Sequence, residues 1–306
     1  MIKLALRVFY KIKWITEDNI KRRSYYKQIG NNYLDTSSYR MLIRQAIGNK
    51  EPLCVGKIGA TECYAMAAAA LFGKGEREKA YAQLCDWSGF FPKEYSVDRF
   101  LKFCEIEMAA VSGTDILIEF AKCYEEFILK KIKWTGKNVI TFATFEDMND
   151  SWTKELVGKN VLVIHPFANL IEEQYKKREL LFEDKDYMPE FRLFTIKAVQ
   201  SLGGTCEEGY SDWFEALNSM VEKMKKIEFD ILLVGCGAYG LPLAYEAKKM
   251  GKVSVHMAGD LQLLFGIKGK RWDKGFGEKY YNEHWIYPGE EYKPKNYKSV
   301  EDGCYW

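Results

Sequence analysis

The sequence lacks several features that would assign it to a class at once. Its 8 Cys are scattered, at Cys54, Cys63, Cys85, Cys104, Cys123, Cys206, Cys236 and Cys304, and no C-x-x-C pair occurs. That spacing argues against structural zinc and points to reduced thiols in a cytosol. An excess of one charge sign is also missing: 45 Lys and Arg against 43 Asp and Glu leave a net +2, so bulk electrostatics predict no nucleic-acid partner. There are no repeats or low-complexity tracts, and no linker rich in Gly, Pro or Ser divides the chain. What is present is 306 residues, 47% hydrophobic and 29% charged, enough for one substantial α/β core. Aromatics reach 15%, with 20 Tyr and 8 Trp, a usage shared by carbohydrate sites, nucleotide sites and ordinary cores.

Residues 1–29 carry eight basic side chains (Lys3, Arg7, Lys11, Lys13, Lys21, Arg22, Arg23 and Lys27) against Glu17 and Asp18, an excess of six. Apolar residues from Ile2 to Ile15 interleave with them, too broken for a signal-peptide core or a membrane span. Such a segment either lies on an anionic membrane surface or packs on the protein itself. Three regions are therefore expected: a basic amphipathic segment at 1–36, one Rossmann-like domain at 37–272, and an aromatic-rich tail at 273–306 folded over it. Exposing the aromatics of that tail would be costly.

Strand and helix signals alternate along the middle region. Ser37 or Ser38 is placed to cap a helix closed by Gly48. Pro52–Ile58, a run from Asp115, Asn138–Ala143, Asn160–His165 and Phe191–Ala198 read as strands. Helical patterns cover Glu76–Trp87, Val97–Val111 and Ser211–Ile227, the last with Ser211 as expected cap. The alternation predicts a doubly wound, mainly parallel sheet with helices on both faces.

Chemistry concentrates at three strand ends. Around the first, Gly56, Lys57 and Gly59 form a turn closed by Glu62. At the second, His165 and Asn169 sit at a strand's carboxyl edge, where open α/β sheets collect ligands. The third is the late unit from Glu228 to Trp272. A buried strand, Ile231–Val234, runs into Gly235, Gly237, Tyr239 and Gly240, with a G-x-G-x-x-G spacing, then a helix stopped by Gly251 and a strand ending at His256. Glycines in that context let backbone N–H groups approach an anion at a helix N-terminus. Beyond them lie Gly259, Asp260 and Gln262, and then a cationic loop of Lys268, Lys270 and Arg271 beside Trp272. That loop suits a diphosphate and a stacking ring. Asp260 is spaced for a ribose-binding acid, but too few βα units follow for a nicotinamide-binding half, which leaves an NAD-dependent oxidoreductase as a third reading.

The pairing of an early glycine-flanked acidic turn with a late strand–glycine–helix–strand unit resembles the GT-D-type bacterial glycosyltransferases, first known as a domain of unknown function from surface-glycosylation and exopolysaccharide clusters. The early motif of that family, R-[IF]-G-D-G-E, reads Lys57-Ile58-Gly59-Ala60-Thr61-Glu62 here. The late one corresponds to Leu243-Ala244 through Gly251 to Gly259. The strings HPFANLIEEQY, GAYGLPLA, LQLLFGIKGKRW and EDGCYW are similar to an uncharacterised polysaccharide-cluster family. The resemblance implies a cytoplasmic enzyme, peripheral at the inner face of the membrane if the basic segment anchors it. It would use a nucleotide-sugar donor, UDP-linked above all, on a glycan or lipid-linked glycan acceptor. Glu62, Asp260 or His256 would serve as base. The family's metal-holding Asp is Ala60 here. Charge on the leaving diphosphate would then fall either to Mg or Mn held by Glu62 and Asp260, or to Lys268, Lys270 and Arg271 without metal. A non-catalytic nucleotide- or sugar-phosphate-binding protein of the same fold is the alternative.

Overall fold

Seven short strands, three of them apolar throughout, make a single sheet in the computed structural model. The structure describes residues 5–6, 8–9, 34–118, 123–139, 148–204, 206, 209–295, 297–300 and 302–306. The strands are β1 (Leu53–Gly56), β2 (Ile116–Ile118), β3 (Lys137–Val139), β4 (Asn160–His165), β5 (Arg192–Lys197), β6 (Ile231–Val234) and β7 (Val253–His256). Their order is β3-β2-β1-β7-β6-β4-β5, and every pairing is parallel. A parallel sheet covered on both faces needs apolar residues at successive positions, which is why Ile231–Val234 is buried at each one. Cys54, Leu162, Leu232 and Val234 feed one core; Val55, Val161, Ile231 and Val255 feed the other.

The helices divide between those two cores. Going along the chain, α1 (Thr36–Asn49) covers the second face, and α2 (Ala60–Leu71), α3 (Lys74–Gln83), α4 (Val97–Gly113) and α5 (Cys123–Lys131) cover the first. Then α6 (Ala168–Tyr175) lies on the second, α7 (Trp213–Lys225) and α8 (Gly240–Lys249) on the first, and α9 (Leu261–Leu264) and α10 (Phe276–Tyr280) on the second. The sheet is doubly wound. Two helix starts differ from the sequence expectation because a neighbouring acid takes the cap. Asp35, not Ser37 or Ser38, accepts from the Ser38 N–H at 2.7 Å, and α1 runs past Gly48 to end at Lys50 with φ 56°. Asp212, not Ser211, caps α7 by accepting from the Glu215 N–H at 2.9 Å, while Glu215 accepts from the Ser211 N–H and hydroxyl.

The third strand begins one residue before its expected start, at Lys137, and residues 140–143 of that expectation lie outside the described residues. So does the basic segment, except Ala5, Leu6, Val8 and Phe9, which are helical, and Leu34, Asp35 and Thr36, which lead into α1. No helix among the described residues is long and apolar enough to cross a membrane. At the other end of the chain, Cys304 is buried, and Trp285 and Trp306 are buried against the second face. The indole N–H groups of Trp285 and Trp306 donate to the Leu181 and Tyr292 carbonyls at 2.9 and 2.8 Å. The segment from Gly266 to Trp306 thus closes over the sheet's carboxyl edge.

This winding makes the site. From β1 and β6 the chain turns to helices of the first core; from β4 and β7 it turns to the second. Adjacent strands β1 and β7, and again β6 and β4, therefore send their loops apart at the carboxyl edge, leaving a crevice at each divergence.

Candidate functional site

The crevice has two unlike halves. Over β4, β6 and β7 lies a cavity of ≈ 160 Å³ whose lining contains no Lys, Arg, Asp or Glu among the described residues. The β6–α8 turn forms its floor. Gly235 is there because the Ala258 carbonyl passes so close that a Cβ would lie 2.2 Å from its oxygen. Gly237 is required twice over: its φ is +58°, and a Cβ would stand 2.8 Å from the Ser88 carbonyl oxygen. A branched residue at position 237 would therefore distort the fold with or without a ligand, so Gly237→Val is not a clean probe of binding. Ala258 itself adopts φ 52°, a left-handed conformation that costs a non-glycine residue about 1 kcal/mol and is held in place by its surroundings. Within the turn, the Gly235 N–H is bonded to the Ile164 carbonyl and the Tyr239 N–H to the Cys236 carbonyl, whereas the N–H groups of Cys236, Gly237 and Ala238 have no partner among the described residues. These three successive donors stand one turn before α8, where the helix dipole favours negative charge.

Tyr239 is a wall rather than a contact. Its ring stacks on Trp213 at 5.1 Å and 10°, and its hydroxyl meets Ser201 Oγ at 2.9 Å. Trp213 is fully buried, a core residue. His165, at the end of β4, is 4% exposed and lines the cavity. Its Nδ1 accepts from the Phe167 N–H at 3.0 Å, which fixes the neutral ring's proton on Nε2. Burial pushes its pKa down to about 3, so the ring is a neutral donor at every ordinary pH. Asn169, the second residue of the following helix, is exposed and does not line the cavity. Gln262 borders the cavity but spends its amide on the chain: Nε2 donates to the Lys268 carbonyl at 2.8 Å and to the Tyr305 carbonyl at 3.1 Å. It ties the 266–268 loop to the end of the tail. Gly259 sits under the Tyr305 ring, where a Cβ would be 2.3 Å from Cε1.

The other half, over β1 and β7, is charged. Lys57 follows β1 and Asp260 follows β7. Burial lowers the Lys57 pKa, as does Arg271, while Asp260 and Glu62 oppose them. Burial raises Asp260, and Lys57, Arg271 and a hydrogen bond from Trp272 hold it down. Four charges and one indole thus meet where the sequence separates them by up to 215 residues (272 minus 57). Arg271 Nη1 donates to the Tyr305 hydroxyl at 2.8 Å, and its guanidinium lies over that ring at 4.8 Å, which links the charged half to the cavity wall. Glu62 touches the other wall: Thr61 Oγ1 donates to Glu62 Oε2 at 3.0 Å and is itself hydrogen-bonded to Ser88 Oγ.

The cationic loop does not act as a unit. Lys268 lies over the rings of Tyr281 and Tyr287, at 5.4 and 5.5 Å, and Lys270 is exposed, so only Arg271 of the three joins the cluster. Lys57 supplies the second cation, which the sequence places in a turn without indicating that it faces Asp260. His256 is not at the surface of the site. It is 5% exposed and fills a slot under Gly56 and Gly240; a Cβ on Gly240 would lie 2.3 Å from its Nε2. Neither ring nitrogen has a partner of good hydrogen-bond geometry, although the Lys57 backbone carbonyl lies near enough to favour the protonated ring slightly. Burial outweighs this and, with the Lys57 charge, pushes the His256 pKa down to about 3.

A divalent metal fits these residues poorly. Hard cations take six or more oxygens, yet no group of three or more His, Cys, Asp or Glu gathers among the described residues. Glu62 is folded back onto the start of α2, its Oε2 2.0 Å from where a Gly59 Cβ would be, and 7% exposed. The Lys57 ammonium interacts with both carboxylates that a metal would need. Beneath Glu62 lies a further carboxyl, Glu107, 1% exposed, whose pKa is raised well above the ordinary range by burial and by the Glu62 charge.

Sequence reasoning missed Trp87 and Ser88. They end a short π-helical turn, Leu84–Ser88, that follows α3 and brings both to the cavity. Such turns are frequent at functional sites, but their sequence signal is indistinguishable from ordinary helix. Comparison with protein-family models, with curated proteins and with solved structures finds no match for this chain.

Proposed function

We propose that this protein is a glycosyltransferase that uses a nucleotide-sugar donor without a divalent metal, in the assembly of a surface polysaccharide or glycan. One observation carries the reading: Lys57 and Arg271 converge with Asp260 and Glu62 at the carboxyl edge of a doubly wound sheet, beside a turn with three N–H groups that have no partner among the described residues. The motif resemblance to GT-D-type enzymes supports the same assignment.

In this reading the donor's diphosphate lies across the Cys236–Ala238 amides, between Lys57 and Arg271. The acceptor hydroxyl oxygen attacks the anomeric carbon. The bond from that carbon to the diphosphate oxygen breaks, and its electron pair leaves with the nucleoside diphosphate. Lys57 and Arg271 stabilise the charge as it develops, the role a metal has in the related motif. Asp260, partly buried and with its pKa raised, takes the acceptor proton. Glu62 holds Lys57 in place, and His256 packs behind it. Residues 1–29, with their excess of six positive charges, bring the protein to an anionic membrane surface where lipid-linked acceptors reside.

The experiment is release of nucleotide from UDP-, GDP- and CMP-sugars in the presence of EDTA and a pooled lipid-linked glycan acceptor. Nucleotide release that depends on the acceptor supports the reading. Tight nucleotide binding with no turnover overturns the transferase in favour of a binding protein, which the replacement of the motif Asp by Ala60 would then explain.

A further inference from the structure

The uncharged half of the crevice poses a separate question: which part of a ligand belongs there. Its walls are largely apolar and aromatic, with Phe167, Val199, Leu202 and Trp306 among them. Most polar groups at its surface are already bonded. Ser201 Oγ is shared between the Gly89 carbonyl and the Tyr239 hydroxyl. Ser88 Oγ is bonded to Thr61, the Tyr305 hydroxyl accepts from Arg271, and the Gln262 amide holds two carbonyls. Apart from the backbone N–H groups of the Cys236–Ala238 turn on its floor, one buried side-chain donor has no protein partner among the described residues, the Nε2–H of His165, at the end of a ring 96% removed from solvent (100% minus 4%). At the rim stands one large aromatic, Trp87, 49% exposed on its π-helical turn.

A hexose is a poor match for such a space. It carries several hydroxyls around its ring, and each one left unbonded in an apolar enclosure costs about 1–3 kcal/mol. A nucleobase has two apolar faces and a few in-plane acceptors. One face can lie on an exposed indole, and a ring carbonyl or ring nitrogen can accept from a single fixed donor. No cation lines the cavity, so an anion belongs at the Cys236–Ala238 amides on the side of the charged half and not beside His165. We infer that the cavity is the nucleobase subsite, with Trp87 as its stacking platform and the Nε2–H of His165 as the donor to the base. The ribose then spans from the His165 end of the cavity to the Cys236–Ala238 amides, where the diphosphate crosses into the charged half. This rests on the nucleotide-sugar reading only for the direction of the chain of groups. The chemistry of the cavity stands without it.

Titration calorimetry with uridine monophosphate, guanosine monophosphate, inorganic pyrophosphate and free glucose separates the parts. In the wild type, one of the two nucleotides and pyrophosphate bind, and glucose does not. Trp87→Ala, a rim substitution that leaves the core intact, weakens the nucleotide about tenfold and leaves pyrophosphate unchanged. Leu202→Trp, which fills the cavity from a partly exposed position, abolishes nucleotide binding and again spares pyrophosphate. Nucleotide affinity unaltered in both variants overturns the inference even if sugar transfer is found, as does glucose binding that Leu202→Trp removes. Nucleotide binding with the expected loss in Trp87→Ala, but with no sugar transfer, leaves the subsite standing and removes the transferase. No binding of either nucleotide overturns both.

Discussion

The two halves of the crevice are built from the same parts, parallel strand ends and the loops that follow them, yet they present opposite chemistry. Over β4 and β6 the loops deliver glycines, aromatics and a neutral histidine. Over β1 and β7 they deliver Lys57, Asp260 and, through the tail, Arg271. The difference lies in what desolvation permits. A charge survives burial only when an opposite charge or a hydrogen bond offsets its lost hydration, and each group of the charged half has such a partner. His165 has no counter-charge, so it stays neutral. The comparison predicts that the halves fail independently.

The largest effect is expected at Lys57. Lys57→Met should lower kcat/KM by about 100-fold or more, since it removes one charge that stabilises the transition state. It should also lower Tm, because Asp260 is left without its neighbouring cation. Adding Asp260→Asn should restore Tm without restoring turnover, and thermal scans of the single and double variants check that separation. Arg271→Ala should cost less, about tenfold, because the guanidinium is exposed and screened, and Arg271→Lys should recover only part, having lost the planar fork. Steady-state kinetics on the two variants distinguish charge from geometry.

Stability against pH sharpens the contrast. His165 and His256 each have a folded pKa near 3 against an ordinary 6.5. The unfolded chain therefore binds more protons between those values, and their contribution is present above pH 6.5 and lost as pH falls toward 3. Glu107 runs the other way. Its raised pKa makes the folded state the better proton binder, so its contribution is present below the ordinary 4.5 and lost as pH rises through the folded value. Glu107→Gln should raise Tm by several degrees at pH 8 and not at pH 4, measured by calorimetry across that range. The smallest effect is expected for Lys268→Ala and Lys270→Ala. Both lie outside the charged cluster, and each should change kcat/KM less than about twofold. A tenfold loss at either would redraw the boundary of the site.

The sheet was legible in the sequence because its signal is local. Ile231–Val234, Asn160–His165 and Val253–His256 are apolar runs of strand length bounded by turns, and a buried parallel strand needs little else. The charged cluster was legible only in part. Asp260, Arg271 and Trp272 are close in sequence, whereas Lys57 reaches them only because β1 pairs with β7 across two hundred residues, a crossover that periodicity cannot reveal. Gly240 and Gly56 looked like ligand-facing glycines and instead make room for the protein's own side chains, His256 at Gly240 and Leu241 at Gly56, since a missing side chain reads the same whether a phosphate or a neighbour fills its place. Trp87 was illegible for the reason given by its π-helical turn.

The claim on which the rest depends is that Lys57, and not a metal, supplies the cation facing the diphosphate. Calorimetric titration of UDP into the protein in EDTA, repeated with added Mn, tests it directly. The account predicts binding in EDTA with an affinity that Mn leaves unchanged. Binding that appears only when Mn is added would contradict it.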